Sequence, residues 1–245
     1  MNGNVAASTA LFPHELFRVR AIGETGDPYW LAGTVEDGSI LPEPGEKPLW
    51  SGFVTTFELP TGSQLDGAWI VITDRRLAFS SNDFDRADTY LGMGGLGAAV
   101  SVVANARSKK RAAQRREGKI LVGHLRHEWI TGVTLDRVKW IGGPTTILGL
   151  AVRMSAGTAL VQFRAKPALP FEFASWLAQL VAHHRLDLGL DIADDAQDLV
   201  RRAAEGTQVD YVDTVPQHFV WNLPGSSESH VLACQAQLAR TGQRT

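Results

Sequence analysis

The sequence predicts a mainly β fold: a seven-stranded, strongly bent barrel closed by a C-terminal helix, with a helical insert between strands 3 and 4. Three observations carry this. Seven runs of β-type patterning lie between Leu49 and Phe163, separated by Gly, Asp and Pro turn signals. One amphipathic segment, Phe171 to His184, follows them directly. So many short strands must hide their edges, and closure beneath a helical plug is an economical way to do it.

Residues 1–46 come first, punctuated by Pro13, Gly23, Gly26, Pro28, Gly33, Gly38, Pro42, Pro44 and Gly45, and read as an irregular arm. Its apolar members, among them Phe17 and Trp30, are candidates to plug one end of the barrel or to face a partner. The barrel unit is expected over 47–186. Leu49 to Leu59 is rich in aromatic and β-branched residues, as a first strand should be. Thr61-Gly62 and Asp66-Gly67 mark the loop after it. Ala68 to Thr73 is a continuous apolar strand, and Asp74-Arg75 turns it into Arg76 to Ser80, completing a hairpin.

The strand rhythm then stops. In the insert, 91–118, Leu96, Ala99, Val100 and Val103 stand at helical spacing. Its second part runs from Arg107 to Lys119 with seven bases against one acid, a local charge of +6. The stretch Leu91 to Ala106 has 16 residues and four glycines, short of the ~20 apolar residues a membrane span needs.

Strands resume with Ile120 to His124 and with Glu128 to Trp140, the latter interrupted at Gly132. Thr146 to Met154 and Ala159 to Phe163 form a second hairpin around Ser155-Ala156-Gly157. Phe173, Trp176, Leu177, Leu180 and Val181 then share one face of the closing helix. In the tail, 187–245, Asp191 to Ala204 is a short helix with acids at its start and Arg201 and Arg202 near its end, which suits the helix dipole. Phe219 to Trp221 reads as a strand or packed loop, and His230 to Arg240 as a last helix.

Composition bounds the rest. A net charge of −2 over 245 residues implies no whole-chain attraction to nucleic acid or anionic lipid, so any such attraction must be local. The one cysteine, Cys234, allows no disulfide framework within the chain, which fits a reducing cytoplasm. Met1 to Pro13 lacks the basic and apolar regions of a signal peptide.

One segment carries a resemblance. Trp69 to Phe79 is an apolar run, then Thr73-Asp74-Arg75-Arg76, then a second apolar run. It resembles the second-to-third strand hairpin of bacterial pleckstrin-homology and GRAM-like domains. Trp129-Ile130-Thr131-Gly132-Val133 is similar to their next landmark, and Phe171 to His184 to their closing helix. The resemblance covers roughly Pro48 to Leu186 and implies a non-catalytic module that binds lipid, membrane or protein. Phosphoinositide-binding members place bases between the first two strands; here Glu58 to Gly67 holds Glu58 and Asp66 and no base.

The candidate binding residues are Arg107, Lys109, Lys110, Arg111, Arg115 and Arg116. Arg107, Arg111 and Arg115 repeat at i, i+4, with Lys110 beside them. Beside an apolar half-helix they fit an anionic membrane surface, a protein partner, or a solvated helix end complementing its own dipole. Small residues four apart, such as Gly94 and Ala98, would also let two helices approach, so homo-oligomeric assembly through the insert is the alternative. No nucleic-acid partner is expected. His124, His127, His183 and His184 lack a zinc pattern, the glycines of the insert lack the Lys-Ser/Thr of a phosphate loop, and no Gly-x-Ser-x-Gly is present. The expectation is no enzyme, no metal and no cofactor. Trp69, Trp129, Trp140 and Trp176 are expected in the core.

Overall fold

The computed structural model describes residues 13, 15–26, 32–58, 64–84, 110, 113–140, 143–155, 157–170, 172–190, 194–206, 211–212 and 218–223. Among the described residues ten strands form one sheet: β1 (Phe17–Ala21), β2 (Pro48–Glu58), β3 (Gln64–Thr73), β4 (Arg76–Ser81), β5 (Lys119–Arg126), β6 (Ile130–Trp140), β7 (Gly143–Met154), β8 (Gly157–Ala165), β9 (Tyr211–Val212) and β10 (His218–Asn222). Their order is β1-β5-β4-β3-β2-β8-β7-β6-β10-β9, and every neighbouring pair is antiparallel. Helix α1 (Glu172–Asp187) and helix α2 (Asp194–Ala204) follow the eighth strand.

The seven expected strands are β2 to β8, and they occupy the middle of the sheet. The closed barrel is not what forms. The sheet is open and ends at β1 and β9. The edges left by the seven strands, β5 and β6, do not meet; each takes a short strand from outside the unit. The arm, read as irregular, supplies β1 to β5. The tail supplies β10 to β6. The edge problem is thus met by capping.

Local signals explain most boundaries. The irregularity expected at Gly132 is a register shift between Ile130 and Gly132 on β6. Asp66-Gly67, expected in a loop, instead lies inside β3, because pairing continues to Phe57↔Leu65 and Glu58↔Gln64. The closing helix buries Phe173, Leu177 and Val181 and packs Trp176 and Leu180 against the core. It stops at Gly189, whose φ of +63° suits a residue with no Cβ. There the Gly189 amide donates to Leu186 O (2.9 Å) and the Leu190 amide to Arg185 O (3.0 Å), which satisfies the last carbonyls of the helix.

One core holds these parts together. Phe57 lies between Phe79 and Phe163, with ring centroids 4.5 and 4.8 Å away. The same cluster takes in Trp129, Leu135, Leu177, Val200, Phe219 and Trp221. Of the expected core tryptophans, Trp129 is buried and Trp176 half-buried, but Trp69 is exposed. Its strand neighbours Ala68 and Ile70 face inward, so Trp69 must face out. Trp140 is the last residue of β6. The expected helix His230 to Arg240 lies outside the described residues.

Candidate binding surface

The hairpin turn that carries the resemblance is built as a clamp. Thr73 accepts hydrogen bonds from the amides of Arg75 (3.1 Å) and Arg76 (3.0 Å), closing the turn between β3 and β4. Asp74 and Lys47 bond each other: the Asp74 amide donates to Lys47 O (3.0 Å), and the Lys47 amide to Asp74 Oδ1 (2.9 Å). Arg75 donates to Pro44 O at 3.2 Å. Three of the four turn residues thereby hold residues 44–47 of the arm or shape the turn that does.

Arg76 completes the clamp from inside. Its side chain is 2% exposed and its partner Glu46 1%. Nε and Nη2 donate to the two oxygens of Glu46 at 2.7 and 2.8 Å, and Nη2 also reaches Leu41 O at 2.9 Å. Nη1 lies 3.0 Å from His124 Nδ1 and 3.5 Å from Glu43 Oε1. An arginine only donates, so Nδ1 accepts and the His124 proton sits on Nε2. Arg126 closes the set by donating to Glu43 Oε1. Both edges of the Arg76 guanidinium are thus engaged within the protein. Burial pushes the Glu46 carboxyl up, but hydrogen bonds from Arg76, the Glu43 amide and Thr73 outweigh it, and the net shift is downward. Removing one partner of such a buried pair costs about 3–5 kcal/mol, because the other charge is stranded.

A second polar cluster locks the end of α1. A 3-10 turn, His127–Trp129, leads into β6. His184 Nε2 lies 3.0 Å from Glu128 Oε2, and Arg185 donates to Glu128 O at 2.6 Å. His127 is fully buried edge-on to His184, with centroids 5.5 Å apart, and neither ring nitrogen has a hydrogen-bond partner among the described residues. Burial, helped by the neighbouring His184, pushes the His127 pKa down to about 3 against a weaker upward pull from Glu46. For Glu128, burial pushes up, but the His184 hydrogen bond and the backbone outweigh it and the net shift is down. Among the described residues no group of His, Cys, Asp and Glu is placed to hold a metal ion.

The remaining surface of interest is apolar. Phe53 of β2 and Trp69 of β3 are directly paired across the strands, and they are 60% and 47% exposed. Leu49, further along β2, is 48% exposed. Phe53 lies over Gly67, where a Cβ would come within 2.4 Å of its ring. The sequence reading missed Leu49 and Phe53 and misplaced Trp69. Strand parity was the available signal: Ala68, Ile70 and Ile72 face the core, so Trp69 and Val71 cannot.

Part of the basic run is described. Lys110 and residues 113–116 are helical, and Lys110 and Arg115 are exposed. Arg116, one of the candidate binding residues, pairs with Asp83 at 2.8 Å, both side chains about 70% buried. Asp83 also accepts from the Asp66 amide at 3.3 Å, which ties the run to the start of β3. Arg107, Lys109 and Arg111, and the apolar stretch Leu91 to Ala106, lie outside the described residues.

No family model, curated protein or solved structure matches the chain. The clamp, the helix lock and the aromatic face therefore stand on their own chemistry. Among the described residues no helix is long and apolar enough to cross a membrane.

Proposed function

We propose that this chain is a non-catalytic binding module of the pleckstrin-homology type that seats on an anionic membrane surface, at the inner face of the cell membrane. The observation that carries the reading is the order β5-β4-β3-β2-β8-β7-β6, with α1 packed against β6 and the 3-10 turn. Seven antiparallel strands in two meanders, followed by one helix, share the strand count and closing helix that the resemblance implies, although the barrel does not close. The clamp adds to it. A turn whose every side chain is engaged in holding its own arm presents a rigid platform for recognition.

The membrane part of the reading rests on charge. Lys110 and Arg115 are exposed in the described part of the basic run, and Arg116 pairs with Asp83. Each base near an anionic leaflet contributes about 1 kcal/mol. Co-sedimentation with vesicles rich in phosphatidylserine tests this. Binding is expected near 0.1 M salt and loss of most of it near 1 M, as the Debye length falls from about 10 to about 3 Å. Lys110→Gln with Arg115→Gln should weaken binding about thirtyfold, from the roughly 2 kcal/mol the two bases supply. A wild-type protein that ignores anionic vesicles even at low salt removes the membrane reading.

A further inference from the structure

We propose that His127 is an acid latch: a proton on its buried ring opens the 3-10 turn and lets go of the 41–47 segment and the end of α1 together. The inference is independent of the membrane reading and rests on what meets at three consecutive residues.

Residues 126–128 staple together two parts of the chain that are far apart in sequence. Arg126 donates to Glu43 of the arm. The His127 amide donates to Arg75 O at 3.1 Å, in the turn that holds residues 44–47. Glu128 serves α1: its carboxylate lies 3.0 Å from His184 Nε2, and its carbonyl accepts from Arg185. The His127 ring is fully buried at this junction, edge-on to His184. A turn that swings out therefore loosens the clamp and the helix lock in one motion.

A proton on His127 would drive that motion, because the folded site has no acceptor for it. Neither ring nitrogen has a hydrogen-bond partner among the described residues. Glu46 is the acid that draws on the ring, but its oxygens are full. Oε1 accepts from Arg76 Nε and Thr73 Oγ1, and Oε2 from Arg76 Nη2 and the Glu43 amide. Those four donors use the four lone-pair sites of a carboxylate. Glu43 takes Arg126 and Arg76, Asp74 takes the Lys47 amide, and Glu128 takes His184. The other charged groups of the elements that meet here are cations, Arg75, Arg76, Arg126 and Arg185, while His124 is held by Arg76. His183 and Asp187 of α1 are exposed. An imidazolium at this site is dry and unpaired, whereas in the swung-out turn water solvates it. In keeping with this, burial and His184 push the ring down to about 3. Opening uncovers a cationic surface, since Arg75, Arg76 and Arg126 lose their arm contacts to Pro44, Glu46 and Glu43.

Hydrogen exchange, corrected for intrinsic rates, tests the latch. The swung-out ring binds a proton and the folded ring does not, so the opening constant should rise about 25-fold from about pH 7 to about pH 5. Three amides report it: His127 to Arg75 O, Lys47 to Asp74 Oδ1 (2.9 Å) and Leu188 to His184 O (3.2 Å). They should rise together and depend little on urea, unlike β7 amides, which exchange through global unfolding. His127→Gln and His127→Leu, checked for fold by circular dichroism, should each remove most of the rise. A rise that persists in a folded variant overturns the latch. Amides that follow β7 at every urea concentration, or a response on only one side of the turn, overturn it as well. Wild type alone supplies a further check by nuclear magnetic resonance. A His127 ring that titrates near its ordinary value while the three amides stay closed shows that the folded site tolerates the proton, and sinks the proposal.

Discussion

At the scale of single residues, the buried polar groups are where the protein spends stability. His127 is the sharpest case, because burial holds its pKa near 3 while an unfolded histidine titrates near 6.5. The unfolded chain therefore takes up a proton that the folded chain refuses, and stability must fall as pH drops through that window. Between about pH 6.5 and 5 the loss from this one group is about 1.5 kcal/mol, accumulating at up to ~1.4 kcal/mol per unit. Glu46 and Glu128 act later, below the ordinary carboxylate range. Their depressed values add stability that is lost as pH falls through them. Urea midpoints across the window check this. His127→Leu should flatten the dependence between about pH 6.5 and 5 while costing little at neutrality, since it also removes two ring nitrogens without hydrogen bonds. Equal slopes for the two proteins would show that another group carries the effect.

At the scale of elements, the strand β1 depends on a glycine in its neighbour. Gly123 pairs with Phe17, and a Cβ there would lie 2.2 Å from Leu16 O and 2.9 Å from Phe17 Cα. Those are backbone atoms, so the strand itself must move. Gly123→Ala should cost about 1–3 kcal/mol. It should also speed hydrogen exchange of the His124 amide, which donates to Leu16 O at 3.1 Å, while exchange in β7 follows only the global change. Protection that stays equal to wild type would contradict it. This strand also marks the limit of what the sequence tells. The seven inner strands were legible, since each carries its own β pattern and turn residues, and so was the α1 face. β1 was not, because Phe17–Ala21 carries two arginines among five residues and earns its strand only by pairing with β5. The clamp was half legible. Thr73 to Arg76 stood out as a motif, whereas Glu43 and Glu46 lie in a Pro- and Gly-rich arm with no periodicity to betray a buried acid. Trp69 was misplaced because a continuous apolar run hides which parity faces inward.

At the scale of the whole molecule, the question is whether 187–245 is an appendage or part of the cooperative unit, and the core answers through Trp221. It is 1% exposed, opposite Val133 on β6, and joins a cluster that includes Val133, Leu135 and Val181. Leu223 extends the attachment by donating its amide to Thr131 O at 2.9 Å. From the other side Val200 and Ala203 of α2 are buried in the same cluster. A large aromatic removed from such a site costs about 3–5 kcal/mol, a sizeable share of the 5–15 kcal/mol that stabilises an ordinary domain. Trp221→Ala should therefore lower the midpoint of the main urea transition as a whole, with circular dichroism and fluorescence still moving together. Trp221→Phe should cost far less, because it keeps most of the buried area and drops an indole N–H that has no hydrogen-bond partner among the described residues. Were the tail a separate unit, the alanine variant would leave the main midpoint in place and add an early, small transition. That result would detach β10 from the fold and leave β6 as an exposed edge. Edge capping from both flanks of the seven-strand unit would then no longer account for how the open sheet protects its edges.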